Sequence, residues 1–414
     1  MKVLVFAHRL EVGGTQTNAI ELAATLRDAH NFEMVLFATP GPMVRLIEQK
    51  GLRFLPAPDA YFHPSWRRMQ ALRRAVRKER PALLHVWDWW QCVDAYYSVH
   101  LAMRVPMIVS DMMMSLTRVL PRGLPTTFGT AENVDRARAA GWRRASFLPP
   151  PVDVQLNAPD VKDGQRYRAA LGIGQDEIVL VSVSRLAKGW KSECLFRTAE
   201  VVGSLGQDFP IRYVIVGDGE TRGALQEVAD RVNSALKRRA ILLPGALLDP
   251  RPPYASADII VGMGGSALRA MAFGKPVIIT GEQGFAELLS QDTAEGFLYR
   301  GIFGQGQREG DPNAHLAALI RGLAEHPEQH AVFGAFARQF VVQHFSLERV
   351  GARLAERYRE AVAEVRPMQR IAADGLRTAA IYLRERDFLI PSRSKQKTLG
   401  WESTLQFQDV DNRR

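Results

Sequence analysis

The chain has 414 residues, with 54 Lys and Arg against 44 Asp and Glu, which gives a formal net charge of +10. Hydrophobic residues make up 46% of it, which is typical of a folded globular protein, and the length suggests two or three domains. A disulfide scaffold is excluded because Cys92 and Cys194 are the only cysteines. No stretch approaches the roughly 20 uninterrupted apolar residues of a membrane-spanning helix, and the N-terminal residues lack the long apolar region of a secretory signal. We therefore expect a cytoplasmic protein.

The first 150 residues alternate strand-like and helix-like patterns. Val3–Ala7 is a short apolar run, the loop that follows contains Gly13 and Gly14, and 16–27 has apolar residues at helical spacing. The alternation continues through strands at 34–38 and 54–57, helices at 43–49 and 66–80, and apolar runs at 82–86 and 106–110. Strands that alternate with helices predict parallel βαβ units in a doubly wound sheet.

A second domain is predicted after a proline-rich hinge at 148–176, where three consecutive prolines at 149–151 cannot continue a helix. The α/β rhythm then restarts, with strands at 178–182, 213–217, 240–243, 259–261 and 277–280 and helices at 191–204, 221–236 and 268–273. Helical periodicity dominates 313–365, and 371–383 predicts an amphipathic helix that is interrupted at Gly375. We therefore predict an α/β protein of two Rossmann-like domains that face a central crevice. The predicted segments are 1–150, 151–345 and 346–414, and the last packs back toward the first domain.

The excess positive charge suggests nucleic acid, an anionic membrane face or phosphorylated small molecules as partners. Nucleic acid is disfavoured because no zinc-finger, KH, RRM or bZIP pattern is present. The segment 66–80 carries seven basic residues and one acidic residue. One interpretation is the solvated face of a surface helix. The other is an interfacial helix in peripheral contact with anionic lipid headgroups, with Trp66 and Met69 near the polar boundary.

Three loops that follow predicted strands have the composition of phosphate cradles, although each alone is also compatible with an ordinary β–α turn. The loop at 12–17 opens a helix, whose free amides and dipole favour an anion. The loop at 184–191 places long cations at a helix start, and 261–278 runs from a glycine-rich loop through a short helix to a Gly-Lys-Pro turn. The residues that carry these features are Gly13, Gly14 and Thr15 in the first loop, Arg185, Lys188 and Lys191 in the second, and Gly262, Gly264 and Gly265 in the third.

In their order along the chain, these loops resemble the retaining glycosyltransferases of family 4, which have the GT-B fold. The resemblance covers roughly residues 1–365. Besides the glycine loop and Ser-Arg-Leu with its downstream Lys, it includes Pro-Pro-Val-Asp at 150–153, Val-Gly-Asp-Gly at 216–219, Ala-Ser-Ala-Asp at 255–258 and Leu-Arg-Ala-Met-Ala-Phe-Gly-Lys-Pro-Val-Ile at 268–278.

This resemblance implies roles for individual residues in donor binding. Arg185 and Lys191 would hold the donor diphosphate as catalytic residues, and the amides of Gly14 and Thr15, in the loop with Gly13, would close on it from the other domain. The remaining donor contacts would be backbone groups of Met263, Gly264 and Gly265 at the sugar, Ser266, Ala267 and Leu268 at the phosphates, and Gly217 and Gly245 beside the nucleoside.

The sequence departs from the family pattern at two places. The two glutamates that the family commonly separates by seven residues are replaced by Val261 and Arg269. A guanidinium cannot accept hydrogen bonds from a ribose, so Arg269 would instead bind an additional anion or pair with Glu282 or Glu287. A cation in the first turn of a helix is unfavourable and needs a partner. We favour the protein pairing, because the resemblance places this side chain beside the ribose and not beside the phosphates.

The second departure lies at 85–88, where many members have His-x-His and this chain has His-Val-Trp-Asp. By this resemblance Trp87 would stand at the position that contacts the donor sugar, and Asp88 or His85 becomes the remaining polar candidate. His85 alone is typical of a histidine satisfied beside a strand end, so we take Asp88 as the catalytic candidate. On the acceptor side, Trp87 and Trp89 could stack on a sugar ring, although packing is the commoner role of tryptophan, and Asp111 could contact a hydroxyl.

The sequence thus predicts transfer of a sugar from a nucleotide-diphosphate sugar to an acceptor hydroxyl with retained configuration. The acceptor would be a carbohydrate, a lipid-linked or a small molecule. Neither a metal nor another cofactor is expected, because the cations replace the metal in enzymes of this kind. Two alternatives are a catalytically silent GT-B module that binds nucleotide, glycan or a partner enzyme, and a nucleotide-sugar epimerase of the same fold.

Overall fold

A computed structural model describes residues 1–389 except 61, 114, 160, 248, 307–309 and 365–366, and at 161–162, 190–191 and 386–389 it describes the backbone alone. The chain forms two compact units. Unit 1 comprises Met1–Pro151 together with the segment from Leu347 onward, and unit 2 comprises Val152–Ser346. Each unit is built around a mainly parallel sheet with helices on both faces, which confirms the predicted fold class.

Unit 1 contains a seven-stranded parallel sheet in the order β3-β2-β1-β4-β5-β6-β7. The order reverses between β1 and β4, which defines the topological switch point of a doubly wound sheet. The strands are β1 (Lys2–Phe6), β2 (Glu33–Ala38), β3 (Arg53–Pro56), β4 (Leu83–Trp87), β5 (Met107–Asp111), β6 (Thr126–Phe128) and β7 (Ala145–Phe147). The helices are α1 (Gly14–His30), α2 (Val44–Gln49), α3 (Trp66–Glu79), α4 (Asp88–Ala95), which continues as a π-helix over Tyr96–Leu101, and α5 (Ala131–Ala139).

Unit 2 contains a six-stranded sheet in the order β10-β9-β8-β11-β12-β13, parallel except for the antiparallel edge strand β13. Its switch point lies between β8 and β11. The strands are β8 (Ile178–Val183), β9 (Ile211–Val216), β10 (Ile241–Gly245), β11 (Ile259–Gly262), β12 (Val277–Thr280) and β13 (Ala286–Leu288). The helices are α6 (Val161–Ala170), α7 (Trp190–Leu205), α8 (Arg222–Leu236), α9 (Arg251–Ser256), α10 (Gly264–Ala272), α11 (Gln291–Arg300), α12 (Pro312–Glu325) and α13 (Gln329–Phe345).

The last two described helices, α14 (Leu347–Ala363) and α15 (Met368–Leu389), belong to unit 1. Buried side chains of α14, including Leu354 and Tyr358, pack with α1 on one face of the sheet. On the other face, the Tyr96 hydroxyl donates to the carbonyl of Ile371 at 2.7 Å, which ties α15 to the π-helix. The predicted interruption at Gly375 is wrong: α15 runs through it, and a side chain there would meet the Tyr96 ring at 3.1 Å.

The central strands are almost continuously buried because helices cover both faces of each sheet. Their long apolar runs were therefore readable from the sequence, whereas the three-residue strands β6 and β7 were not. None of the helices within the described residues is both long and apolar enough to cross a membrane.

Candidate functional site

In unit 2, the predicted donor residues of the second and third loops meet at the carboxyl edge of the sheet. Arg185 follows β8 and the glycine-rich loop follows β11, and these strands are neighbours on either side of the switch point. Gly217 follows β9, and Gly245 ends β10. Ligands of doubly wound proteins bind at this edge, beside the switch point.

Two of these glycines allow the strand ends to approach closely. At Gly217, where φ is 151°, a Cβ atom would lie 1.8 Å from the carbonyl oxygen of Ser184, so no larger residue fits. The Gly217 amide donates to the carbonyl of Gly245 at 3.0 Å, and Gly245 itself has a φ of 94°. The two glycines thus form one bare backbone surface between β8 and β10.

The N-terminus of α10 offers backbone donors at the same edge. Met263 is its N-cap residue and provides no side-chain cap, and Gly264 uses its amide on the carbonyl of Ile302. The amides of Gly265 and Ser266 have no intrahelical acceptor because they lie in the first turn. The Ser266 hydroxyl is occupied, since it donates to the Val183 carbonyl at 2.6 Å and lies 2.9 Å from the Tyr254 hydroxyl. Ala267 and Leu268 are buried in the core of unit 2.

Arg185 is an exposed cation at this edge of the sheet. It lies in the loop after β8, and no acceptor for its guanidinium is found within the described part of the chain. Lys188 is exposed and forms a 3.7 Å ion pair with Glu220. Lys191 is the second residue of α7, but its side chain lies outside the described atoms.

Arg269 differs from its prediction in two respects. It lies in the last turn of α10, not the first, because the helix begins at Gly264. A cation in that turn is favoured by the helix dipole and needs no compensating partner. The expected ion pair is also wrong: among the described residues, neither Glu282 nor Glu287 pairs with Arg269. Glu282 instead accepts a hydrogen bond from Gln305. The half-buried guanidinium of Arg269 lies close to Gly265. Its Nη1 atom is 3.9 Å from the position that a Cβ atom of Gly265 would occupy.

In unit 1, the β1–α1 loop presents the N-terminus of α1. Gly13 is the N-cap residue and leaves the helix without a side-chain cap, and the first turn contains no acidic residue. Gly14 is exposed with open space where a side chain would be, and Thr15 is partly exposed. The free amides of this turn suit an anion.

The carboxyl edge of the unit 1 sheet also holds Asp88 and Asp111. Asp88 is the first residue of α4 and has a φ of 62°, a left-handed conformation that costs a non-glycine residue roughly 1–2 kcal/mol. Its carboxylate contacts the imidazole of His8, which no sequence pattern had singled out. Asp111 ends β5 and is fully buried, and burial together with the nearby Asp88 raises the pKa of Asp111 well above its usual value.

The aromatic acceptor candidates are core residues. Trp87 and Trp89 are each 1% exposed and belong to the apolar clusters on opposite faces of the unit 1 sheet. Neither presents a ring face on which a sugar could stack, so their predicted stacking role is not supported. His85 is likewise fully buried, bonded through Nδ1 to Tyr358 and through Nε2 to Ser110.

Helix α3 has a basic surface, which we define as Trp66, Arg67, Arg74, Arg77, Lys78 and Arg80. Trp66 is 69% exposed, and the five cations of this surface are exposed as well. Arg68 is an exception to the predicted solvated face, because it is buried and forms a 2.7 Å ion pair with Asp94. Across the described residues, no group of three or more His, Cys, Asp or Glu side chains is arranged to hold a metal ion.

Each unit matches a separate family model. Residues 177–324, within unit 2, match the family described as Glycosyl transferases group 1. Residues 12–111, within unit 1, match Glycosyltransferase Family 4, and the two matches together span more than half of the chain. The chain belongs to the family 4 GT-B glycosyltransferases.

Two curated relatives of this family 4 member are named as a glycosyltransferase and a mannosyltransferase. It is 26% identical over 249 residues to D-inositol 3-phosphate glycosyltransferase of Rhodococcus erythropolis, a match that covers 56% of this chain and 53% of the relative. It is 28% identical over 223 residues to GDP-mannose-dependent alpha-(1-6)-phosphatidylinositol monomannoside mannosyltransferase of Mycolicibacterium smegmatis, which covers 50% of this chain and 54% of that protein. The chain thus spans about half the length of each of these relatives.

Solved structures of similar fold cover most of the chain. A glycosyltransferase from Rickettsia africae superimposes with a TM-score of 0.71 at 14% identity, over 88% of this chain and 99% of that chain. Anabaena Alr3699/HepE in complex with UDP gives a TM-score of 0.68 at 17% identity, over 87% of this chain and all of that one. These likenesses confirm the GT-B fold of the family 4 member.

Proposed function

We propose that the protein transfers a sugar from a nucleotide-diphosphate sugar to an acceptor hydroxyl, with configuration retained. The observation that carries this proposal is the carboxyl edge of the unit 2 sheet. There the exposed Arg185, the bare backbone of Gly217 and Gly245 and the uncapped N-terminus of α10 lie around one switch point. A cation, a close backbone approach and free amides are what a nucleoside diphosphate requires.

In this proposal the diphosphate is the leaving group, and charge stabilisation is the main catalytic effect. As the glycosidic C–O bond breaks, its electron pair passes to the diphosphate, whose negative charge Arg185 and the amides of Gly265 and Ser266 stabilise. Lys191 would add a second cation from the first turn of α7. We propose that these groups replace a divalent metal.

The relatives support the donor class and the kind of acceptor. One relative is named for GDP-mannose and another is solved with UDP, so both nucleotides are reasonable first probes. Two relatives are named for inositol-containing acceptors, one a soluble phosphate and one a lipid. We propose a carbohydrate, polyol or lipid-linked acceptor, bound by unit 1.

We further propose that the protein works in the cytoplasm and that the basic surface of α3 contacts the anionic inner face of the membrane. The support is the exposure of Trp66 beside five cations that have no acidic partner among the described residues. An aromatic residue at the polar boundary and a cluster of cations are the features of a peripheral membrane contact.

The test of the main proposal is donor binding and consumption. UDP and GDP binding is measured by calorimetry, and release of nucleoside diphosphate is followed with UDP-glucose and GDP-mannose in the presence of EDTA. Arg185→Ala should lower turnover about 10²–10³-fold, as expected for the loss of one preorganised charge stabiliser.

The control for Arg185→Ala is Arg166→Ala, which removes an exposed arginine of unit 2 that pairs with Asp163. Its turnover should remain near that of the unmodified protein. Tight nucleotide binding without any donor consumption would overturn the transferase proposal in favour of a silent binding module. Product formation in the absence of any acceptor would indicate an epimerase.

A further inference from the structure

Three polar side chains converge at the switch point of unit 1. His8 follows β1, Asp88 follows β4 and Asp111 ends β5, and these strands are consecutive neighbours in the sheet. Since the strands are parallel, the three residues lie at the same edge. Only the two aspartates were foreseen from the sequence.

The burial of the three side chains is graded. Asp111 is fully buried, the side chain of Asp88 is 6% exposed, and that of His8 is 25% exposed. A ligand at this edge therefore reaches His8 before either carboxyl group. This ordering moves the substrate contact from Asp88, the residue favoured by the sequence, to His8.

Asp111 lies beside Asp88 and is the more deeply buried of the two. Its Oδ1 accepts from the Met113 amide at 3.0 Å, and its buried Oδ2 has no hydrogen-bond partner at normal geometry among the described residues. A second full negative charge beside Asp88 in this dry environment is unfavourable, and burial together with the nearby Asp88 raises the pKa of Asp111 well above its usual value. When it is protonated, Asp111 has an O–H that can donate to the Asp88 carboxylate.

Asp88 in turn fixes the imidazole of His8. Its Oδ1 accepts from the Met112 amide at 3.4 Å and its Oδ2 contacts Nε2 of His8. A carboxylate can only accept, so Nε2 carries the proton. In the neutral ring, Nδ1 is then a hydrogen-bond acceptor, and it has no partner within the described part of the chain.

We propose that His8 is the residue that contacts the acceptor substrate, with its Nδ1 accepting a hydrogen bond from the hydroxyl that receives the sugar. Asp88 and Asp111 are positioning residues that fix the tautomer and the ring. This inference rests on the proposed function and adds the acceptor contact to it. The orientation of a histidine by a carboxylate behind it is a general device for holding one ring nitrogen ready for a ligand.

The test uses His8→Gln in the full chain. The amide of glutamine can donate to Asp88 from near the position of Nε2, but it places no acceptor where Nδ1 lies. The variant therefore retains the contact that holds the loop and removes the one that we assign to the substrate. The control is His30→Gln, which changes a histidine in the last turn of α1.

The first readout is the tautomer of the His8 imidazole. Long-range ¹H–¹⁵N spectra of the histidine-labelled protein at pH 8, with His8→Gln used for assignment, should show the neutral His8 protonated on Nε2. A neutral ring protonated on Nδ1 would overturn the proposal, because no acceptor would then face the substrate.

The second readout is turnover of UDP-glucose and GDP-mannose, with water and with D-inositol 3-phosphate as the acceptor probes. His8→Gln should lower the rate at least about tenfold while the Kd for UDP or GDP stays within about twofold, because the donor groups are in unit 2. His30→Gln should change neither quantity. A His8→Gln rate within threefold of the unmodified protein overturns the acceptor contact alone. If the unmodified protein consumes neither donor, the proposed function fails and the acceptor contact fails with it.

Discussion

The imidazole Nδ1 of His85 lies 2.6 Å from the hydroxyl of Tyr358, a residue 273 positions later in the chain. Tyr358 is on α14, so this bond joins the C-terminal segment of unit 1 to the centre of its sheet. The other ring nitrogen lies 2.8 Å from Ser110 on β5, and Ser110 lies 2.7 Å from Thr127 on β6. The buried polar chain thus connects α14 with three neighbouring strands, and every member has a partner.

Removal of the Tyr358 hydroxyl should destabilise unit 1. Tyr358→Phe leaves the ring in place but leaves Nδ1 of His85 buried without a partner, which costs about 1–3 kcal/mol. Urea unfolding measures this difference in the free energy of unfolding. The control is Tyr167→Phe, which removes a hydroxyl that has no hydrogen-bond partner among the described residues and should not lower the free energy of unfolding. Equal stability of the two variants would contradict the structural role of this bond.

The same histidine makes stability depend on pH. Burial lowers the pKa of His85 from 6.5 to about 3 in the folded protein. The unfolded chain therefore binds a proton at this residue that the folded chain excludes, and the stability present above pH 6.5 is lost as the pH falls toward 3. The contribution of this one group is a slope of about 1.4 kcal/mol per pH unit. His85→Gln should be less stable at pH 7 but show a shallower slope between pH 6 and 4. An unchanged slope would contradict the prediction.

Gly217 should be irreplaceable even by alanine. Its φ of 151° and the 1.8 Å that would separate a Cβ atom here from the Ser184 carbonyl oxygen mean that Gly217→Ala must displace the end of β8, where Arg185 begins its loop. We expect a loss of more than about 2 kcal/mol in unfolding free energy. Gly223→Ala, in α8 with open space around it, is the matched control and should be neutral or stabilising by up to about 1 kcal/mol. Similar effects of the two changes would show that the close approach is not required.

The basic surface of α3 should bind anionic vesicles. Arg74→Glu combined with Arg77→Glu reverses two exposed cations that have no described partner and should weaken cosedimentation with phosphatidylserine vesicles by at least about tenfold, since each cation near such a surface contributes about 1 kcal/mol. Lys237→Glu combined with Arg239→Glu makes the same charge change at exposed positions of unit 2 and should have much less effect. Equal losses in both double variants would indicate a response to net charge alone.

The two sheets followed from the sequence because long apolar strands alternate with helices. The loops that carry glycines and cations follow these strands, so their position at one edge of the unit 2 sheet followed as well. The partners of side chains at strand ends did not follow. The periodicity of apolar residues does not reveal that Trp87 and Trp89 are buried in the core. Nor does it reveal that His8 contacts Asp88, which is 80 positions later in the chain. The start of α10 was missed because Gly264 and Gly265 are poor helix formers, and this error placed Arg269 in the wrong turn.

Arg269 is therefore expected to act on ligand binding and to contribute little to folding. It lies in the last turn of α10, where the dipole favours a cation by only about 0.3–1 kcal/mol, and it has no carboxylate partner among the described residues. Its guanidinium folds back toward Gly265, beside the free amides that we assign to the donor. Arg269→Met should leave the unfolding free energy within about 1 kcal/mol but weaken UDP or GDP binding about tenfold, which corresponds to about 1.4 kcal/mol. Arg239→Met makes the same substitution at an exposed position just before β10, at the opposite, amino edge of the sheet, and should leave nucleotide affinity unchanged. A strong loss of stability in Arg269→Met with unchanged affinity would instead show that the arginine is a folding residue, and the loss of the family's glutamate at this position would then have no bearing on the donor.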